Sequence, residues 1–323
     1  MLKLGCSIQP LAICALAVMG GIAHGQPFPS KPIRVITAEP GGGADFITRI
    51  IAQGLTTNMG QQIIVENQGA ASGMVAAQAV LKSPPDGHTM LLYGSNFWIL
   101  PFLQNNVPYE PAKDFAPVIM PVRSPNVVAL HPSVPASSIK ELIALAKTKP
   151  GQLNYCTAGS GAAPHLGVEL FKVMAGLNIV RIPYKGTGAA INALLGGEVH
   201  MMFPNTAQAA PHVKSKKLKA LAVTSLEPTA SFPGVPTMAA SGLPGYEAVT
   251  AFGMFVPVKT GDAVVRKLNQ EIAQVLKKDD VREKLTNSGV DVVGGTPEQL
   301  TSYIRSEMAK WGKLIKDVGI SGD

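Results

Sequence analysis

The stretch IRVITAEPGGGAD, from Ile33 to Asp45, carries the main fold signal of the chain. It opens with a mostly apolar strand pattern, and after its glycines Ile47, Ile51 and Leu55 share one helical face. A glycine-rich turn between a strand and a helix exposes backbone N–H groups and the positive end of the helix. The stretch therefore predicts a strand-loop-helix unit that either binds an anion or only connects two elements.

A second turn of this kind, TAGSGAA at residues 157–163, follows the strand pattern LNYC at residues 153–156. We call residues 39–45 the first loop and residues 157–163 the second loop. The repetition favours an anion site over a plain connection. Between and beyond the loops, strand and helix patterns alternate, which is typical of an α/β protein.

The chain length predicts two α/β lobes, because 323 residues exceed one ordinary core. Strand patterns at residues 115–122 and 127–130 flank Ser124-Pro125-Asn126, where we place the first crossing between lobes. A strand at 252–258 is expected to return to the first lobe, after a surface connection at 231–246. Lobe 1 is thus residues 26–124 plus 251–323, and lobe 2 is residues 125–250.

The first 25 residues have the features of a cleaved signal peptide. Lys3 precedes an apolar run at residues 11–22, and small residues before position 25 suit cleavage near Gly25. We therefore expect an exported chain. Its mature form keeps Cys156 alone, which excludes an internal disulfide.

Enzyme motifs are missing from the sequence: there is no nucleophile elbow, no zinc-protease helix and no nucleotide-binding loop. The net charge of +7 is spread along the chain, unlike a nucleic-acid groove. One alternative is a hydrolase or transferase that uses Cys156 or Ser160 with His165. We prefer a carboxylate site built from backbone amides and the hydroxyls of Ser95, Thr157 and Ser160, with no chemical step, no cofactor and no metal.

Short motifs in a fixed order carry a family resemblance. They are PSKPI (29–33), PGG (40–42), VEN (65–67), PDG (85–87), KDFAP (113–117), HPSVP (131–135), PGQLNY (150–155), HL (165–166), PYKG (183–186), LAVTS (221–225) and GLPGY (242–246). Together they resemble the Bug family, the periplasmic solute receptors of tripartite tricarboxylate transporters.

The resemblance implies a two-lobed periplasmic-binding-protein fold with a ligand cleft between the lobes. It also implies a monomeric receptor in the periplasm that closes on a small organic carboxylate and delivers it to integral membrane permease subunits. A sensor protein is the alternative partner.

The resemblance further places the ligand between the two loops. The contacts it implies on the first side are Pro40, Gly41, Gly42 and Asp45, and those on the second side are Thr157, Ala158, Gly159, Ser160 and His165. To these we add residues at other strand ends: Ser95, Asn96, Tyr184, Phe203 and Asn205.

Three departures from the family pattern bear on the ligand. Glu39 puts an acid beside the supposed anion site, where it either repels a second carboxylate or receives a cationic or hydroxyl group. Pro204 replaces an acid found in many members, which disfavours amino-acid ligands. Phe97 and Trp98 suggest stacking on an aromatic carboxylate, with core packing as the alternative.

Overall fold

The computed structural model describes residues 28–157 and 161–321. The predicted signal peptide and Ala158, Gly159 and Ser160 of the second loop lie outside these residues. Within the described part of the chain, no helix has the length and apolar character needed to cross a membrane.

The strands alternate with helices, as predicted. The strands are β1 (Ile33–Thr37), β2 (Ile63–Asn67), β3 (Thr89–Gly94), β4 (Phe115–Pro125), β5 (Val127–Leu130), β6 (Asn154–Thr157), β7 (Val180–Pro183), β8 (Met201–Met202), β9 (Lys219–Val223), β10 (Val249–Pro257) and β11 (Asp291–Gly294). The helices are α1 (Gly43–Met59), α2 (Met74–Leu81), α3 (Asn96–Leu103), α4 (Pro111–Asp114), α5 (Ile139–Thr148), α6 (Ala163–Ala175), α7 (Thr187–Leu195), α8 (Thr206–Lys214), α9 (Asp262–Lys277), α10 (Asp279–Asn287) and α11 (Pro297–Val318).

The first sheet has the strand order β11-β4-β10-β3-β1-β2. Strand β1 pairs in parallel with β2 and β3, whereas β10 pairs antiparallel with β3 and β4. Met90 and Leu92 of β3 pack with α1 and α9 on one face, and Leu91 and Tyr93 pack with α2 and α3 on the other. Because both faces are covered, β3 is buried throughout, which explains its nearly continuous apolar sequence.

The second sheet has the order β7-β6-β8-β5-β9. Strand β6 is parallel to β7 and β8, and β5 is antiparallel to β8 and β9. Cys156 and Met202 pack against α7 on one face, while Tyr155 and Met201 join α5 and α6 on the other. The two mixed sheets confirm the predicted α/β class.

The chain passes between the sheets at Asn126 and again before β10. Strand β4 is longer than the predicted 115–122 and continues to Pro125, so the step to the second sheet is made at Asn126, the last of the three residues where the crossing was placed. Pairing of Ser124 with Thr250 extends the strand. The Asn126 N–H donates to Thr224 Oγ1 (2.9 Å) and the Thr224 N–H donates to the Asn126 carbonyl (2.9 Å), which joins the two passages.

The strands of the first sheet come from residues 33–125 and 249–294, and those of the second sheet come from residues 127–223. The exact lobe boundaries stay a prediction.

Residues 231–246 are the predicted surface connection only in part, because some of their side chains are buried. They form no helix or strand, but Met238 and Tyr246 are fully buried, and the Tyr246 hydroxyl donates to the Gly167 carbonyl at 2.7 Å. Proline and glycine prevent regular secondary structure here. The apolar side chains between them still pack into the core.

Helix α11 packs against α3 of the first sheet and α6 of the second. Its predicted capping box is confirmed: Thr296 Oγ1 accepts from the Gln299 N–H, and the Gln299 side chain accepts from the Thr296 N–H. Helix α3 and strand β11 were not predicted, because each is short and lies next to a loop pattern.

Candidate ligand-binding site

A cavity of about 750 Å³ opens where the carboxyl ends of strands from the two sheets face each other. Its wall includes the ends of β1 and β3 from the first sheet, and Thr157 and the segment after β8 from the second. Ligands of α/β sheets bind at such strand ends.

The first loop opens helix α1 into this cavity. Gly41 has φ +76°, a left-handed conformation that favours glycine, and it turns the chain between β1 and α1. Gly42 is the N-cap of α1 and offers no side chain to the free N–H groups of the first turn. These donors and the positive end of α1 therefore lie at the cavity wall.

Asp45 lies under the first loop and fixes its shape. Its carboxylate accepts from the Gly41 N–H (2.9 Å) and Asn67 Nδ2 (2.8 Å) and pairs with Arg49 (2.9 Å). Burial opposes ionisation, but the hydrogen bonds from Arg49, Asn67 and Gly41 outweigh it, so the pKa of the Asp45 carboxyl is lowered. The described contacts of Asp45 are structural, because they hold the loop rather than reach into the cavity.

Helix α6 begins at the opposite wall. Its N-cap, Ala162, also provides no capping side chain, and Ala162, Pro164 and His165 line the cavity. His165 Nδ1 accepts from the Gly161 N–H at 2.9 Å, and its ring stacks on Tyr155 with centroids 6.4 Å apart. The His165 ring thus orients the start of α6.

Thr157 and Asn205 complete the second wall. Thr157 Oγ1 accepts from Arg181 Nε (2.9 Å), which fixes the hydroxyl at the end of β6. Asn205 is the N-cap of α8, where its side chain accepts from the Gln208 N–H at 2.8 Å. Helix α8 is therefore capped by its own side chain, unlike α1 and α6.

The charges of the wall are few. Among the described residues that line the cavity, none is a lysine or arginine, and Glu39 is the one acid. Anion binding would therefore depend on backbone N–H groups and helix ends rather than on a cationic side chain.

The predicted site residues divide into three groups. Those at the cavity wall are Glu39, Gly41, Gly42, Asn96, Thr157, His165 and Asn205. Those outside the described residues are Ala158, Gly159 and Ser160. The wall does not include Pro40, Asp45, Ser95, Tyr184 and Phe203.

The residues away from the wall have other contacts. Phe203 is fully buried against Phe171, with ring centroids 6.1 Å apart, so a direct ligand contact is not supported. Ser95 is 2% exposed at the start of α3. The Tyr184 hydroxyl is exposed and lies 3.4 Å from Glu198.

Phe97 and Trp98 do not face the cavity, so the hypothesis that they stack on a ligand is wrong. They are 1% and 0% exposed. The Phe97 ring lies 5.0 Å from Tyr109, Phe115 and Phe255, in what we call the aromatic cluster (Phe97, Trp98, Tyr109, Phe115 and Phe255). Helix α3 packs between the first sheet and α11, which buries both rings.

Cys156 has no feature of a catalytic nucleophile. It is 1% exposed, its thiol donates to the Ala190 carbonyl (3.3 Å), and burial raises the pKa of the thiol to about 12. In residues 28–157 and 161–321, no three His, Cys, Asp or Glu side chains form a group able to hold a metal ion.

Sequence reasoning missed the aromatic part of the wall, which consists of Phe46, Tyr93 and Phe252. A signal was present for Phe46: it precedes Ile47, which faces the core, so it is an apolar residue outside the buried face of α1. Phe46 is 44% exposed. Tyr93 lies near the end of β3 and Phe252 lies within β10. Both strands are buried, so no sequence pattern distinguishes these two residues from core residues.

The family model described as "Tripartite tricarboxylate transporter family receptor" matches residues 47–320. BugT of Bordetella pertussis is 34% identical over 295 residues, which is 90% of this chain and 90% of BugT.

Two solved structures are similar over most of their length. Rpa4515 of R. palustris, solved with adipate, is 32% identical with a TM-score of 0.76, covering 91% of this chain and 99% of that protein. MatC of Rhodopseudomonas palustris, solved with malate, is 29% identical with a TM-score of 0.72, covering 89% of this chain and all of that protein.

Proposed function

Because this chain belongs to the family of tripartite tricarboxylate transporter receptors that includes the Bug proteins, we propose that it binds a small organic carboxylate in the cavity between its two sheets. Family membership confirms the resemblance, the receptor fold and the prediction of a binding protein rather than an enzyme. The adipate and malate bound by two relatives support a carboxylate as the ligand class.

One observation carries the proposal: α1 and α6, whose N-cap residues Gly42 and Ala162 provide no capping side chain, open into the same cavity from opposite sheets. Helix α1 supplies the N–H groups of its first turn and the positive end of its dipole. Helix α6 supplies mainly the positive end of its dipole, because Pro164 in its first turn has no N–H. A charge-assisted hydrogen bond contributes about 1.5–3 kcal/mol. Three or four of them, less the cost of ordering the ligand, correspond to roughly micromolar affinity.

We assign the direct contacts to Gly41, Gly42, Thr157, His165 and Asn205, with Asn96 at the edge of the cavity. Ala158, Gly159 and Ser160 are proposed contacts from the second loop. Asp45 acts through its hydrogen bond to Gly41 and holds the donors in place.

Lobe closure is the proposed mechanism. A ligand that contacts both α1 and α6 stabilises the arrangement in which the two sheets are close. The pivot consists of the paired passages at Asn126 and Thr224 together with α11, which packs on both α3 and α6. Small-angle X-ray scattering should record a smaller radius of gyration when ligand is added.

We also propose that the mature receptor lies in the periplasm as a monomer after cleavage near Gly25. Its partner is a membrane permease, with a sensor protein as the alternative. Loss of uptake of the ligand in cells that lack the receptor supports the permease; loss of ligand-induced transcription with normal uptake supports the sensor.

The binding proposal is tested by thermal unfolding of the mature chain with adipate, malate, citrate, glutamate and benzoate, since a ligand of the folded state raises the midpoint. The decisive variant is Gly42→Asp. Gly42 has φ −80° and ψ 169°, which any residue adopts, and aspartate is a preferred N-cap. The new carboxylate should cap α1 and abolish the ligand-dependent shift without loss of stability.

Gly261→Asp is the matched control. Gly261 is the uncapped N-cap of α9, has open space around it and does not line the cavity. This variant should keep the full ligand-dependent shift. An unchanged shift in Gly42→Asp would show that the ligand is held elsewhere.

A further inference from the structure

The wall of the cavity contains an exposed aromatic ring, Phe46, and one acidic side chain among its described residues, Glu39. We propose that the cavity selects an aromatic monocarboxylate, with Phe46 stacking on the ring and Glu39 rejecting a second carboxylate. This inference rests on the proposed function and names the ligand class of the same site.

Phe46 offers a ring directly beside the anion-binding end of the cavity. It lies in the first turn of α1, lines the cavity and is 44% exposed, although a core-facing position, Ile47, is next to it. An exposed phenyl ring in the same turn as the N–H groups at the start of α1 can stack on an aromatic body whose carboxylate those groups hold.

Other parts of the wall continue this apolar surface. Phe252 lines the cavity and lies beneath Gly43 and Gly94, where a Cβ would stand 4.0 and 3.5 Å from its ring. Ala162 and Pro164, at the start of α6, line the cavity from the opposite wall. An aromatic ligand therefore meets apolar atoms on both sides.

The Glu39 side chain lies at the same wall and packs against Gly69. A Cβ on Gly69 would stand 2.1 Å from Glu39 Cδ, so the glycine makes room for the carboxylate. Tyr93 lies nearby: burial and, next, the charge of Glu39 raise the pKa of its hydroxyl to about 12. No lysine or arginine among the described residues of the wall offsets this charge, so a second carboxylate placed beside Glu39 would be repelled.

Titration calorimetry at pH 7 with benzoate and adipate tests the proposal. The wild-type chain should bind benzoate at least about tenfold more tightly than adipate. Glu39→Gln keeps the size and removes the charge, and it should narrow this ratio by about tenfold through tighter adipate binding. A wild-type preference for adipate, or an unchanged ratio in Glu39→Gln, overturns the inference.

Phe46→Leu tests the ring itself, because leucine keeps an apolar side chain and removes the aromatic face. Affinity for benzoate should fall about tenfold, the size of a lost aromatic pair. Phe102→Ala is the control, since Phe102 is 38% exposed on α3 and does not line the cavity; benzoate affinity should not change. Equal affinity of wild type and Phe46→Leu contradicts the stacking role.

The failure of this inference is distinct from the failure of the proposed function. If adipate binds, Gly42→Asp abolishes that binding and benzoate does not bind, the receptor function stands and the aromatic selectivity is wrong. If no carboxylate binds the wild-type chain, both are wrong.

Discussion

Phe97 and Trp98 of the aromatic cluster occupy places in the sequence similar to that of Phe46, but their environments are opposite. Phe46 is the fourth residue of α1, and Phe97 and Trp98 are the second and third of α3; each helix follows a strand of the first sheet. Phe46 is 44% exposed, whereas Phe97 and Trp98 are 1% and 0% exposed.

The difference comes from how the two helices dock. Helix α1 packs one stripe, Ile47, Ile51 and Leu55, on the sheet, so Phe46 remains on the cavity side. Helix α3 is covered by the sheet and by α11, which leaves no open face for its rings. The comparison shows that an aromatic residue at a strand end indicates a ligand contact only where its helix has an open side.

The largest effect is expected for Trp98→Ala. Removal of a fully buried indole should lower the free energy of unfolding by about 3–5 kcal/mol, measured by urea denaturation. The carboxylate affinity of the folded protein should stay the same. Trp98→Phe should cost less, because it keeps a ring and removes an indole N–H that has no hydrogen-bond partner among the described residues.

The comparison breaks down if Trp98→Ala is nearly as stable as the wild-type chain and binds its ligand weakly. That result would place the Trp98 ring at the ligand rather than in the aromatic cluster.

A smaller effect is expected for Asp45→Asn, which loosens the first loop, next to Phe46. The variant should lose about 1–3 kcal/mol of unfolding free energy at pH 7, because buried hydrogen-bond donors lose a charged acceptor. The pKa of Asp45 is lower in the folded chain than its unfolded value of about 3.9. The stability from this carboxylate is thus present above pH 3.9 and is lost as pH falls through the folded pKa.

Denaturation curves of wild type and Asp45→Asn from pH 7 to pH 3 measure this dependence. The difference between the two proteins should shrink in the acidic part of the range. A difference that is constant with pH would mean that the ionised carboxylate of Asp45 does not stabilise the loop.

The smallest effect on stability is expected for Phe46→Ala. Because the ring is 44% exposed, the free energy of unfolding should change by less than about 0.5 kcal/mol. The same substitution at Phe97 should cost about 3–5 kcal/mol, since that ring is buried. Similar losses for the two variants would remove the distinction between a cavity ring and a core ring.

Much of the fold was predictable because its signals are local. The helical stripe of α1, the apolar run of β3 and the capping box at Thr296 each depend on residues close in sequence. The packing of residues 231–246 was not predictable, because the burial of Met238 and Tyr246 depends on distant elements that cover them.

The sequence by itself determined the alternation of strands and helices, the two glycine-rich loops and the family, since periodicity, backbone freedom at glycine and ordered motifs need no tertiary contact. Only the tertiary structure decided that α1 and α6 open into one cavity, that Asp45 holds the first loop, and that Phe46 rather than Trp98 faces the ligand space. The physical reason is that these properties depend on which faces of each helix are buried. The elements that bury those faces lie far away in the sequence.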